Sequence, residues 1–318
     1  MMHSRRPCGR TNGRPEAEPP YPLPCRARRP RRAVTGPEAE MDYVRFMCRA
    51  AVPPDGGQMG GPRPSRPTIS VVHMSTYPNN WAVVIPLANE EAELPEFSSV
   101  LRAVMDELGG GMVYFVVDRV SKDRTLECCQ ELGRLDSRLI TKWIPENRNV
   151  VDAYLNGFKE ALKDGHEIII EMDGGLSHDP RAIPAFLRAL NEGNDCAFGS
   201  RYINGGSMVD SPIRRRILSK GGTLLAQWLL GAELADMTSG YQAFRRSVML
   251  RVVDFPLRSQ AHFYQTELRY LLRKQKLIEV PIHYRAPSPR VSHGAIRNSL
   301  AVLTYYFLMR ILGRPPAI

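Results

Sequence analysis

Asn89 and Glu90, Asp118 and Ser121, Asp173, and Arg201 each stand just after a short apolar run. A single Asp in such a place is most often a turn or cap residue. Four runs ending in acids, an amide, a hydroxyl and a guanidinium instead point polar groups at one edge of a sheet, which makes a ligand site. Arg201, Arg214, Arg215, Arg216 and Lys220 gather positive charge in one stretch. If that stretch is helical, Arg215 and Ser219 share a face, so a guanidinium and a hydroxyl can meet the same phosphate oxygens. Anionic lipid headgroups would be attracted to the same basic face. The charge is local, and it suits a small anion such as a diphosphate or a lipid phosphate.

The elements that must hold these residues alternate in type. WAVVIP (81–86) reads as a first strand, and Leu94, Phe97, Leu101, Val104, Met105 and Leu108 then recur at helical spacing until Gly109, Gly110 and Gly111 stop the helix. MVYFVVD (112–118) is a second strand, and Ser121 can cap the helix after it. RLITKW (138–143) is a third strand, followed by a helix up to Gly165; EIIIEMD (167–173) is apolar enough to be buried on both faces. Asp179 caps a helix from Pro180, and DCAFGSRY (195–202) is the next strand and its exit. Beyond it come a basic helix (212–230), a turn (236–241), a helix (262–274), a strand (277–285) and a last helix (292–312). The apolar run in that last helix is too short to span a bilayer but can lie in its surface or cover the domain. This order predicts a single α/β domain, a mostly parallel sheet flanked by helices, with ligands at the carboxyl ends of its strands.

The 318 residues carry 43 Lys+Arg against 33 Asp+Glu, a net charge of +10. Residues 1–67 hold 13 Arg, no Lys and 6 acids, so most of the excess lies in one end. That end also has 13 of the 26 prolines and few aliphatics, too little apolar surface to offset chain entropy. Residues 1–73 therefore read as a disordered Arg/Pro-rich arm, with Met74 a candidate start, residues 74–290 as the domain and 291–318 as a C-terminal amphipathic helix. The arm lacks the apolar stretch of a secretory signal, and its prolines and acids break the helix a mitochondrial transit peptide needs. The six cysteines show no CxxC pair or zinc spacing. A cytoplasmic protein, peripheral at the membrane face and with no nucleic-acid partner, is expected.

The segments VVIPLANEEAEL (83–94), VVDRVSKDRT (116–125), YLNGFKEAL (154–162), EMDGGLSHDP (171–180), FGSRYINGG (198–206), RRRILSKGG (214–222), DMTSGYQAF (236–244) and KLIEVPIHYR (276–285) cover nearly all of 81–290. In this order they resemble the family-2 glycosyltransferases with the GT-A fold, and within them the dolichyl-phosphate mannose synthase group of polyprenyl-phosphate sugar transferases. The resemblance implies a Rossmann-like GT-A domain that moves a sugar, with inversion, from a nucleoside-diphosphate donor with Mg²⁺ or Mn²⁺. The diphosphate charge that grows as the glycosidic bond breaks must be neutralised. On that resemblance Pro86 is the strand-end turn, Glu90 contacts the nucleotide, and Asp118 lies at the base and ribose. Asp173 holds the metal and diphosphate, Arg201 and Arg215 with Ser219 bind phosphate, and Glu267, beside Gln265 and Thr266, is the candidate general base.

The sequence departs from the family at Asp173-Gly174-Gly175, where the family has Asp-x-Asp. One carboxylate with substrate phosphates and water can still hold Mg²⁺, and His178, which a folded-back loop brings near, would suit Mn²⁺ as a metal ligand. Arg119 inverts the charge of a second family acid and leaves the base open. Arg285, Arg290 and His293 form a basic loop without the family's Gly-Ser-Lys ending. Two acceptors remain. A polyprenyl phosphate is already ionised and needs no base, leaving Glu267 to pair with Arg269 or Arg273; a saccharide or small-molecule hydroxyl would be activated by Glu267. The missing acids also motivate an alternative, a catalytically inactive nucleotide-sugar or lipid-phosphate binding protein on the same fold.

Overall fold

The computed structural model describes residues 80–209, 212–285 and 293–318. The arm, the start at Met74, Arg290 and the His293 side chain lie outside the described residues. The predicted strands appear as β1 (Trp81–Leu87), β2 (Met112–Val117), β3 (Leu139–Trp143), β4 (Ile168–Glu171) and β5 (Cys196–Ser200). Between them run α1 (Leu94–Leu108), α2 (Thr125–Leu135), α3 (Val150–Lys163) and, after a short 3₁₀ turn at Pro180–Ala182, α4 (Ile183–Asn191). There follow β6 (Ser207–Val209), α5 (Ile213–Leu230), β7 (Gln242–Arg245), α6 (Arg246–Asp254), α7 (Tyr264–Leu271), β8 (Leu277–Pro281), β9 (His283–Arg285) and α8 (His293–Ile311).

Seven strands form one sheet in the order β3-β2-β1-β4-β7-β5-β8. Because side chains alternate along a strand, β1 sends Val83, Ile85 and Leu87 into one core with α1 and α4, and Ala82 and Val84 into the other with α3 and α6. Both faces are covered, which is why these strands read as continuous apolar runs. Local chemistry sets the ends. Gly109, at φ 70°, closes α1 in the left-handed region, and the Asn149 side chain caps α3 by accepting from the Val151 and Asp152 N–H groups.

Four details differ from expectation. β7 runs antiparallel between β4 and β5, a strand that four residues of mixed character did not announce. The expected strand 277–285 breaks at Ile282, so that β8 pairs with β5 in the main sheet while β9 pairs with β6 in a separate two-stranded sheet. Ser121 does not cap α2; its hydroxyl accepts from the Asn89 N–H and donates to Asp123, which itself accepts from the Thr125 N–H. Pro86 is not at the turn but inside β1, opposite Val116; pairing with β4 has ended at Val84 and Glu171, so the strand has one neighbour where proline offers no donor. No helix among the described residues is long and apolar enough to cross a membrane.

The packing of α3 on the sheet rests on Gly157, where a Cβ would collide with the Val84 and Val116 side chains. Gly221 in α5 has nothing within 4 Å of such an atom. Alanine favours a helix by about 1 kcal/mol over glycine, but overpacking a core costs about 1–3 kcal/mol. Gly157→Ala is therefore expected to lower the thermal midpoint and Gly221→Ala to raise it; matching shifts from the two variants would contradict this account.

Candidate active site

The loops leaving β1, β2 and β4 meet at the carboxyl edge of the sheet. Asn89, at φ 59°, turns the chain out of β1, and its side chain donates to the Val120 carbonyl and accepts from the Lys122 N–H. The Glu90 N–H donates to Thr125 Oγ1 and the Glu91 N–H to Asp123. Desolvation would raise the Asp123 carboxyl, but the donors from Thr125, Glu91 and Ser121 hold it at about 2. The first two loops are thus laced into one rim. Asp118, buried at the exit of β2, accepts from the Val120 N–H, the turn-forming arrangement expected of a strand-end Asp.

Asp173 is held from two sides. The Tyr154 hydroxyl donates to its Oδ1 at 2.7 Å, and its backbone N–H donates to His178 Nδ1 at 3.0 Å. Burial works to raise the Asp173 carboxyl, yet His178, His262, Tyr154 and Arg215 together bring it below its ordinary value. His178 is fully buried, and desolvation pushes it down to about 4, so it is neutral. Because Nδ1 accepts the backbone N–H, the ring proton sits on Nε2, which faces Asp173 Oδ2 at 3.8 Å. A nitrogen carrying its proton has no lone pair for a cation, so the arrangement removes His178 from the expected metal ligands and makes it a holder of Asp173.

The second acid absent from the sequence has a spatial counterpart. Gly175 has φ 65°, and a Cβ on it would collide with Glu90 Oε2. The Glu90 carboxylate therefore fills the space a side chain at 175 would take. Desolvation, then the charges of Glu93, Asp123 and Asp173, push Glu90 up to about 7. Among the described residues no three His, Cys, Asp or Glu side chains converge as metal ligands. Two carboxylates are present at this loop, and two suffice for a hard cation whose shell is completed by phosphate and water.

Arg201 is placed otherwise than expected. Its guanidinium grips buried Asp236 in a bidentate pair, at 2.7 and 2.8 Å, and also donates to Thr238 Oγ1. With so many donors committed inside the protein, it is a framework residue rather than a phosphate clamp. Ser219 belongs to the same network, accepting from Tyr202 and hydrogen-bonded to Thr238. Arg215 shares its helix face with Ser219 as foreseen, but its guanidinium donates to the Tyr284 hydroxyl at 2.8 Å. Tyr284, on β9, also packs against Arg201 and His178 and so joins α5 to the Asp173 loop.

Glu267 is not available as a base. It is fully buried, and its carboxylate accepts from the Arg258 and Ser259 N–H groups at 2.8 Å and from the Tyr306 hydroxyl at 2.6 Å. The structural role left open for it holds, with different partners: Arg269 donates instead to the Asp236 carbonyl and Arg273 to those of Tyr270 and Pro316. Behind Asp173 lies Glu171, unnoticed in the sequence because it reads as part of a strand. It accepts from Tyr264, Gln242 and Gln265, and the Tyr264 ring packs tilted against that of Tyr154. His262, exposed at the head of α7, also acts to lower the Asp173 carboxyl.

Two expectations follow. Glu267→Gln should cost about 2 kcal/mol in denaturant unfolding, the scale of hydrogen bonds to a buried charge, while turnover per folded molecule stays within about twofold; a large loss of kcat in folded protein would restore the base. Burial pushes the Glu171 carboxyl from 4.5 to about 8, with the Asp173 charge adding and the three donors opposing. The folded state thus holds this proton more tightly than the unfolded chain. Its stabilising contribution is full below about pH 4.5 and is lost as pH rises through about 8. Unfolding measured at stepped pH should show that decline, and Glu171→Gln should flatten it.

The profile of glycosyl transferase family 2 matches residues 82–252. A polyprenol monophosphomannose synthase of Mycolicibacterium smegmatis is 32% identical over 205 residues, 64% of this chain and 76% of the relative. An undecaprenyl-phosphate mannosyltransferase of Micrococcus luteus is 30% identical over 231 residues, 71% of this chain and 93% of the relative. Among solved structures, a glucosyl-3-phosphoglycerate synthase of Mycobacterium tuberculosis, crystallised with Mn²⁺, UDP-glucose and phosphoglyceric acid, superposes with a TM-score of 0.54 at 18% identity, covering 80% of this chain and 86% of that one. With the mostly parallel sheet, the carboxyl-edge site and a matched profile over more than half its length, the chain belongs to glycosyl transferase family 2 and is a glycosyltransferase of GT-A fold.

Proposed function

We propose that the enzyme transfers a sugar from a nucleoside-diphosphate donor to the phosphate of a polyprenyl phosphate, with inversion at the anomeric carbon. The observation that carries this reading is the state of Glu267, whose two oxygens are both occupied by donors of the protein itself. No acid on α7 is left to take a proton from a hydroxyl, so the nucleophile should arrive already ionised, as a phosphate does and an alcohol does not. The two relatives named for polyprenyl-phosphate mannosyl chemistry support the same acceptor class and make mannose the first sugar to try.

In the reaction an acceptor phosphate oxygen bonds to the anomeric carbon as the bond from that carbon to the donor diphosphate breaks. The bonding pair leaves with the nucleoside diphosphate, and no proton has to move. Asp173, fixed by Tyr154 and His178, and Glu90, lying over Gly175, would hold Mg²⁺ or Mn²⁺, which supplies charge neutralisation to the diphosphate. Arg215, oriented by Tyr284, offers positive charge to a phosphate at the same edge. On this reading Asp118 and the rim around Asn89 would receive the nucleoside.

The test offers purified enzyme UDP- and GDP-sugars with Mg²⁺ or Mn²⁺ and compares polyprenyl phosphate with the unphosphorylated polyprenol. Sugar transfer is expected to the phosphate alone, and Arg215→Ala should raise the acceptor KM by about tenfold or more, as loss of a charged contact does. Transfer to polyprenol or to a saccharide would overturn the acceptor. In the presence of UDP, Glu90→Gln should weaken Mn²⁺ binding, read by electron paramagnetic resonance, by about tenfold or more; unchanged affinity would remove Glu90 from the cation.

A further inference from the structure

Between the start of α3 and the loop that joins α6 to α7 lies a cleft of about 590 Å³, within the ~300–1,000 Å³ that small-molecule sites span. It is separate from the catalytic edge. Asp152 lines it from α3, whereas Tyr154, two residues on and bonded to Asp173, leaves the helix on the opposite side. The facing wall is firmly held. Glu267 accepts from the Arg258 and Ser259 N–H groups, the Asn298 side chain accepts from the Gln260 N–H, and the Arg258 guanidinium lies 3.6 Å over the Tyr305 ring. Ser259 is 4% exposed, yet its hydroxyl has no hydrogen-bond partner among the described residues. A buried hydroxyl in that state is destabilising, and a polar ligand in the cleft it lines would supply the bond that the fold does not.

We propose that this cleft binds a neutral saccharide, at a site distinct from the one that holds the donor. The lining selects the ligand. Arg148 is paired with Asp152 at 2.8 Å, and the Glu267 carboxylate backs Arg258, so each cation already has an acid and a phosphate or carboxylate would find no surplus charge. A wholly apolar ligand would leave the Ser259 hydroxyl unpaired. A sugar meets both halves of the lining. Its hydroxyls donate and accept, as Ser259 and Gln260 do, and the C–H faces of its ring suit Leu155, Phe255 and Leu257. Both walls run on to the catalytic edge, for α3 carries Tyr154, bonded to Asp173, and the loop leads to His262, which helps lower that carboxyl. A saccharide spanning the cleft would tie these two supports together. The inference goes beyond the polyprenyl-phosphate reading and does not depend on it.

The experiment titrates the full chain with the methyl α-glycosides of mannose, glucose, galactose and N-acetylglucosamine, and separately with inorganic phosphate, reading the glycosides by saturation-transfer NMR and phosphate by calorimetry. At least one glycoside is expected to bind, and excess UDP or GDP with Mn²⁺ should not displace it. Ser259→Ala should weaken that glycoside about fivefold or more, the loss of one hydrogen bond. The same variant should keep or raise the thermal midpoint, because the hydroxyl has no partner in the protein to lose. Leu155→Trp, which fills the cleft, should abolish binding while unfolding as cooperatively as the wild type, and Asp173→Ala should leave the affinity within about twofold. No glycoside bound, displacement by the nucleotides, binding indifferent to Ser259→Ala and Leu155→Trp, or phosphate binding that Ser259→Ala weakens would each overturn the proposal. If a glycoside binds here but no prenyl phosphate is glycosylated, the acceptor reading falls and this site stands.

Discussion

The buried pair of Arg201 and Asp236 is the constraint on which the second half of the fold depends. Asp236 accepts two bonds from the guanidinium and one each from the Arg201 and Thr238 N–H groups, and its own N–H, with that of Ala235, donates to Glu279 on β8. Burial alone would raise the Asp236 carboxyl, but Arg201 and Arg269 outweigh it and hold it at about 2. From this point Thr238 reaches Ser219 on α5, and the Met237 carbonyl accepts from Thr266 on α7. A buried pair adds little net stability when exchanged whole for apolar groups, yet losing one partner costs about 3–5 kcal/mol because the other charge is stranded. Its value is geometric: one ion pair sets the exit of β5, the entry to β7 and the faces of two helices.

The reactive edge is built in the same manner, by residues that hold other residues. Asp173 projects from the end of β4 with its carboxylate fixed by Tyr154 and its backbone by His178, and Tyr154 in turn rests on Tyr264 and Glu171. Such pre-orientation matters for a site whose task is to stabilise charge that grows during reaction, since donors and carboxylates already in place need not reorganise. The tyrosines provide it cheaply, each filling core volume with its ring while its hydroxyl meets an acid.

Much of this was legible in the residues. β1, β2 and β4 are apolar runs buried on both faces, their order with helices between dictates parallel pairing, and parallel pairing puts Glu90, Asp118 and Asp173 at one edge. What the sequence hid were partners distant along the chain. Arg201 looks like a phosphate ligand until Asp236 is seen beside it, and Glu267 looks like a base until Arg258, Ser259 and Tyr306 are found to occupy it. β7 was hidden for a different reason, since a four-residue strand between a loop and a helix has no period to detect. Tyr284 had a weak signal, an aromatic in an otherwise exposed strand of alternating burial.

The contact between Glu90 and Gly175 governs how this loop can be changed. A side chain at 175 would enter the space that the Glu90 carboxyl end now fills, so one of the two would have to turn aside, and the backbone there is in a conformation that favours glycine. A change at either position therefore alters where the carboxylate beside Asp173 comes to rest, and the two are to be engineered together.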